Sequence, residues 1–315
     1  MAKKQFNDAS LKRLTAVIQG LPGLEESLKK HKVSLQDLDE VSVFGYGSLP
    51  DQPHYPPDSI EDAYLWGYSR DMCCLSVRSG TEALPGLTLG LDKNKTGIVP
   101  GAILTYKNTD IEKLAEMLEA FAAREVVKEL PIYKFEFLEI EKQNGQKSMA
   151  IVCVADPDSA GYFGSPSTPL EQFNLSHSER DHDALHKKAI RIANANGFLK
   201  KSKVYSTCKS YFDRFVRIPI EENRIIVDTI QLKNMSEHER TRYISLYQEQ
   251  ERMLKLAALV DVYREDMRQK RPKLVQILEE AERNQMKLWR EKKAEASKKR
   301  RSSASLKKSK HSRKR

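Results

Sequence analysis

No apolar run in the 315 residues approaches the roughly 18 that a membrane-spanning helix needs. The opening residues, MAKKQFNDASLKRL, carry no apolar segment of the kind a secretory leader has. Neither membrane insertion nor secretion is expected. Cysteine is scarce: Cys73, Cys74, Cys153 and Cys208 form no C-x-x-C pair and no zinc-ligand spacing. Adjacent Cys73 and Cys74 are poor disulfide partners, so reduced thiols in a cytoplasmic or nuclear compartment are expected. An excess of one charge is also missing from most of the chain. The net charge is +10, but residues 296–315, ASKKRRSSASLKKSKHSRKR, hold ten Lys or Arg and no acid. Outside them 44 basic residues face 44 acids. The basic signal belongs to a tail, and the body need not bind nucleic acid.

What is present is enough for a core, at 39% hydrophobic residues. Residues 8–40 read as short helices, with Leu11, Leu14, Val17 and Ile18 at helical spacing and a break at GLPG, 20–23. Residues 41–106 read as four strands: VSVFGYG, AYLWGYSRDMCCLSV, LPGLTLGL and GIVPGAILTYK. LPDQPHYPPD, with four prolines, is an irregular loop between the first two. Thr109 and Glu112 make a T-x-x-E capping box before a helix. YKFEFLEIEK and SMAIVCVAD pair around the turn QNGQ. DPDSAGYFGSPSTP is a long loop, DHDALHKKAIRIANANG a helix, and a further helix is expected around Tyr205–Phe215. ENRIIVDTIQL reads as a last extended run. A second capping box, Ser236 and Glu239, then opens a charged helical arm, which Pro272 interrupts.

Three places offer chemistry. The helix after Thr109 carries Ile111, Leu114, Leu118 and Phe121 at spacings of three and four, and the next position in that series is Glu125. A carboxylate there lies on the buried face near the helix C-terminus, and burial and dipole both raise its pKa. Such a group suits proton transfer near neutral pH. Equally, it closes the stripe and pairs with a basic neighbour such as Arg124. The second place is FGYGSL. Glycine is infrequent here, 14 in the whole chain, yet two fall in this stretch. They serve either a tight turn or a cradle of backbone N–H groups for an anion. It is neither a P-loop nor a G-x-G-x-x-G. The third is HSERDHDALH, where His182 and His186 sit one helical turn apart. A metal pair lacks an evident third ligand, and the spacing equally suits a solvated helix face. No G-x-S-x-G elbow is present, and neither Cys73 nor Cys74 has an identifiable His partner.

Taken in order, five landmarks resemble the ChaC-type γ-glutamylcyclotransferases. They are VFGYGSL, GYSRDMCCLSVRSGTEALPGLTLGL, GIVPGAILTY running into the Arg124–Glu125 helix, VADPDSAGYFGSPSTPLE, and the interval from Gly197 to Tyr205. The resemblance covers about residues 41–215. It implies an α+β fold with a small mixed β-barrel core and flanking helices, to which the charged arm adds a C-terminal helical extension. The expected segments are an N-terminal helical extension (1–40), the cyclotransferase-like domain (41–230), a helical arm (231–296) and a basic tail (297–315).

The resemblance also implies a reaction, a lyase-type step of glutathione catabolism. A γ-glutamyl compound, glutathione favoured, closes on itself to 5-oxoproline and releases its amine, Cys-Gly in the case of glutathione. The substrate supplies the nucleophile, so no cofactor and no metal is expected. Glu125 is the implied general acid/base. Gly45, Tyr46, Gly47, Ser48 and Leu49 are the implied loop for the glutamyl carboxylate, with Arg70, Tyr162 and Tyr205 as further pocket members. Where the family follows YGSL with an Asn-Pro segment, this chain has PDQPHYPPD, the expected seat of substrate preference. The competing reading is a cyclotransferase-like binding module with weak or no activity, acting through the arm and tail on a partner protein or nucleic acid. The clusters KKRR and KKSKHSRKR also resemble an importin-read nuclear signal.

Overall fold

The computed structural model describes residues 8–51, 53–80, 85–108, 110–126, 131–159, 161–162, 213–270 and scattered positions between 272 and 294. Two short helices open the chain, α1 (Asp8–Gln19) and α2 (Leu24–His31), followed by a 3-10 turn at Leu35–Asp37. Then come β1 (Glu40–Gly45), β2 (Ser59–Gly80), β3 (Pro85–Lys107), α3 (Ile111–Glu125), β4 (Tyr133–Lys142) and β5 (Lys147–Ala155). A π-helical turn at Asp213–Arg217 leads to α4 (Ile218–Glu222), α5 (Thr229–Asn234) and the long α6 (Glu237–Lys270). No helix among the described residues is long and apolar enough to cross a membrane.

The five strands close into a barrel in the order β1-β3-β2-β4-β5. Every described pairing is antiparallel except the closing one, where Val43 and Phe44 of β1 lie parallel to Ile151 and Val152 of β5. This is the mixed barrel with flanking helices expected from the motifs. Alternation along the strands divides the apolar residues between two clusters. Phe44, Leu65, Val99, Ile103, Ile140 and Val152 belong to one made of strand residues alone. Val43, Leu104, Phe135 and Cys153 join the other, with Leu14, Leu24, Leu114 and Phe121 of the helices. The N-terminal helices therefore share a core with the barrel. Arg13 also ties α1 to α3, donating to Glu112 at 2.6 Å and Glu119 at 2.7 Å.

Three local expectations change. LPGLTLGL and GIVPGAILTYK belong to one strand, β3. The polar DKNKT between them stays within the ladder because Leu91, Asp92 and Lys93 pair with Arg70, Ser69 and Tyr68. The register slips next, between Tyr68 and Trp66, at Gly67, whose φ of 80° is one that glycine adopts readily. The cap of α3 is Asp110, whose side chain accepts from the Glu112 N–H at 3.0 Å. Glu112 turns to Arg13 rather than back to a cap, and Thr109 lies outside the described residues. TIQL is helical in α5 rather than extended, because Asp228 caps it by accepting from the Ile230 N–H at 2.8 Å. The Ser236–Glu239 box does form, with the Ser236 N–H donating to Glu239 at 2.9 Å.

Candidate active site

β1 delivers the first part of the site. Gly45 pairs with Ala102 of β3, and the chain then leaves the sheet as the loop Tyr46–Leu49. A Cβ on Gly45 would lie 2.8 Å from Cδ and 2.9 Å from Cγ of Pro50. The room that glycine leaves here is thus taken by the chain's own proline as the loop folds back. Among the described residues, the backbone N–H groups of Gly47, Ser48 and Leu49 donate to no protein acceptor. Unpaired among these residues, they meet one condition of an anion cradle.

α3 delivers the second part. Ile111, Leu114, Leu118 and Phe121 are buried as the stripe predicts. Phe121 meets Phe135 of β4 edge-on, ring centroids 5.4 Å apart. The helix ends at Glu125, whose side chain is 20% exposed. Arg124 Nε donates to Glu125 Oε1 at 2.6 Å, and Arg124 Nη2 donates to Ser48 Oγ at 2.6 Å. One guanidinium therefore joins the helix end to the loop. Oε2 of Glu125 has no hydrogen-bond partner among the described residues. Cys153 of β5 lies close enough to feel both charges. Burial first, and then Glu125, push its thiol well up, with Arg124 opposing.

The remaining expected members fall in different places. Tyr162 packs against the helix-side cluster, and its hydroxyl donates to Asp92 at 2.6 Å. Arg70 is buried but turned to α6, where its Nε lies 3.4 Å from Glu249 Oε1. Tyr205, His182, His186 and the basic tail lie outside the described residues. The proline-rich loop shares a small cavity with Arg124: His54, Tyr55, Leu49, Phe121 and Arg124 line a space of about 10 Å³. A separate cleft of about 930 Å³ opens between α6 and the barrel, lined by Trp66, Tyr68, Leu138, Glu141 and His238. It shares no lining residue with the Arg124 cavity.

Arg124 is what sequence reasoning undervalued, since it entered only as a charge partner of Glu125. The signal available was its neighbour: one position off the buried stripe, at the last turn, a long cationic side chain can reach sideways to the adjacent loop.

Residues 41–174 match the family described as ChaC-like protein, the same stretch that carries four of the five landmarks. Among solved structures the chain is similar to a selenomethionine-labelled γ-glutamyl cyclotransferase specific to glutathione from yeast. The identity is 13%, with 68% of this chain and 97% of that one covered and a TM-score of 0.40. Another structure of that yeast cyclotransferase is 13% identical over 50% of this chain and 98% of its own, with a TM-score of 0.34. A protein of Arabidopsis thaliana with a solution structure is 22% identical over 48% of this chain and 93% of its own, with a TM-score of 0.26. No curated protein matches the chain.

Proposed function

We propose that the chain is a γ-glutamylcyclotransferase that converts glutathione, or a related γ-glutamyl compound, to 5-oxoproline and the released amine. The observation that carries this reading is the arginine-held Glu125 beside the open N–H groups of the Ser48 loop, inside the ChaC-like stretch. The substrate's α-amine attacks its own γ-carbonyl carbon, the five-membered ring closes, and the bond to the departing nitrogen breaks. Glu125 takes the proton from the amine and returns it to that nitrogen, so the enzyme ends as it began. Holding amine and carbonyl in contact is the main lever for a reaction within one molecule. The loop N–H groups and the Ser48 hydroxyl suit the glutamyl carboxylate or the developing oxyanion.

Product analysis tests the reading. Purified protein is incubated without added metal with glutathione, γ-glutamyl dipeptides and γ-glutamyl-lysine. 5-Oxoproline with stoichiometric Cys-Gly from glutathione is expected, and no cyclised product from any of the three sets the reading aside. The basic tail is proposed as a separate address, for importin or nucleic acid, that leaves turnover unchanged when removed.

A further inference from the structure

We propose that Arg124 is a positioning residue, a clasp that fixes Glu125 and the Ser48 loop relative to each other and sets which atom of each faces the substrate. What the two held groups then do rests on the cyclotransferase reading; the clasp itself does not.

A guanidinium is a planar, rigid fork, so two acceptors bound to one fork cannot move independently. Here the fork reaches across 76 positions from the end of α3 to Ser48 in the loop after β1, while its other acceptor, Glu125, is its own neighbour. The side chain is only 10% exposed. Leu49, His54, Tyr55 and Phe121 line one small cavity together with it, so the proline-rich loop lies beside the fork.

The bonding also assigns polarity. Ser48 Oγ accepts from Arg124, so its own O–H is left to donate elsewhere. Glu125 Oε1 is engaged by Arg124, which leaves Oε2 to receive a proton. A donor and an acceptor are thereby presented side by side, the pairing that the carboxylate and amine of one α-amino acid terminus require.

Lysine separates position from charge, because it keeps the cation and loses the fork. If Arg124 positions, both Arg124→Lys and Arg124→Ala lower kcat for glutathione by about 100-fold, the scale of a roughly 1 Å misplacement, with a much smaller change in KM. Added guanidinium then restores part of the Arg124→Ala activity and ammonium does not. An Arg124→Lys enzyme with undiminished kcat overturns the proposal. Thermal melts of both variants show whether a loss comes from unfolding. A second readout is independent of turnover. In full-length protein labelled with 15N-arginine, the Arg124 Nε–H resonance exchanges slowly with water and shifts on Glu125→Gln and on Ser48→Ala. A resonance that neither substitution moves overturns the clasp, even in a protein that makes no 5-oxoproline.

Discussion

Nε of Arg70 lies 3.4 Å from Oε1 of Glu249, 179 positions away, and the two side chains are 6% and 5% exposed. Glu249 stands in the buried stripe of α6 between Leu246 and Met253. Arg252 completes the set, donating to Asp71 at 2.8 Å and to Glu249 at 2.9 Å. Arg70 and Asp71 of β2 are thus linked to Glu249 and Arg252 of the long helix.

Glu249→Ala leaves the Arg70 charge buried without its carboxylate. A loss of about 3–5 kcal/mol in unfolding free energy is expected. Replacing Arg70 and Glu249 together by Met and Leu should recover most of it, because the desolvation cost vanishes with the charges. Denaturant unfolding of the three variants is the check. A single variant as stable as the parent would mean that α6 does not depend on the pair.

Asp71 gives this region a pH dependence. Burial raises its carboxyl to about 7, with Arg252 pulling the other way. The folded value lies above the unfolded one, near 4. Its contribution to stability is therefore full below about pH 4 and is lost as the pH rises through 7. The slope reaches at most about 1.4 kcal/mol per pH unit. Asp71→Asn should flatten the fall in Tm between about pH 4 and 7. An identical profile in the variant would assign the slope to another group.

Glu141 has the opposite sign. Burial alone would raise it, but hydrogen bonds from His238, Trp66 and Arg242 outweigh that and hold it below the usual carboxylate range. Its contribution is present above the unfolded value, about 4.3, and is lost as the pH falls through the lowered folded one. Trp66 Nε1 donates to Glu141 at 2.7 Å, and only one other tryptophan, Trp289, is present. Trp66 fluorescence, read in a Trp289→Phe background, should follow the acid transition. Glu141→Gln should cost about 1–3 kcal/mol and abolish that change. Fluorescence that titrates unaltered in the variant would detach Trp66 from Glu141.

Two glycines separate crowding from backbone strain. A Cβ on Gly101 would lie 2.3 Å from the carbonyl oxygen of Gly45. Gly101→Ala must push β1 from β3 beside the loop, at a cost of about 2 kcal/mol or more. Gly67 has open space but a φ of 80°, so Gly67→Ala should cost about 1 kcal/mol. Melting of both variants tests the order, and a Gly67 variant that is the less stable would reverse it.

The legible parts of this molecule were those set by short-range pattern. The spacing of Ile111, Leu114, Leu118 and Phe121 led directly to Glu125, and Asn144–Gly145 marked the β4–β5 hairpin. Gly145 indeed has a φ of 82°. The continuity of β3 through DKNKT was hidden because strand pairing, rather than local composition, keeps those polar residues extended. Arg70 was read into the substrate pocket from its motif, whereas its partner here is a helix residue that nothing in the local sequence announces. The joint engagement of Ser48 and Glu125 by Arg124 needed the same long-range information.

Turnover of glutathione by Glu125→Gln tests the central claim most directly. The substitution keeps the shape of the side chain and an oxygen for Arg124, and removes only the capacity to carry the proton. 5-Oxoproline formation is expected to fall by about 100-fold or more while Tm stays near that of the parent. A folded Gln variant that forms 5-oxoproline at the parent rate would contradict it.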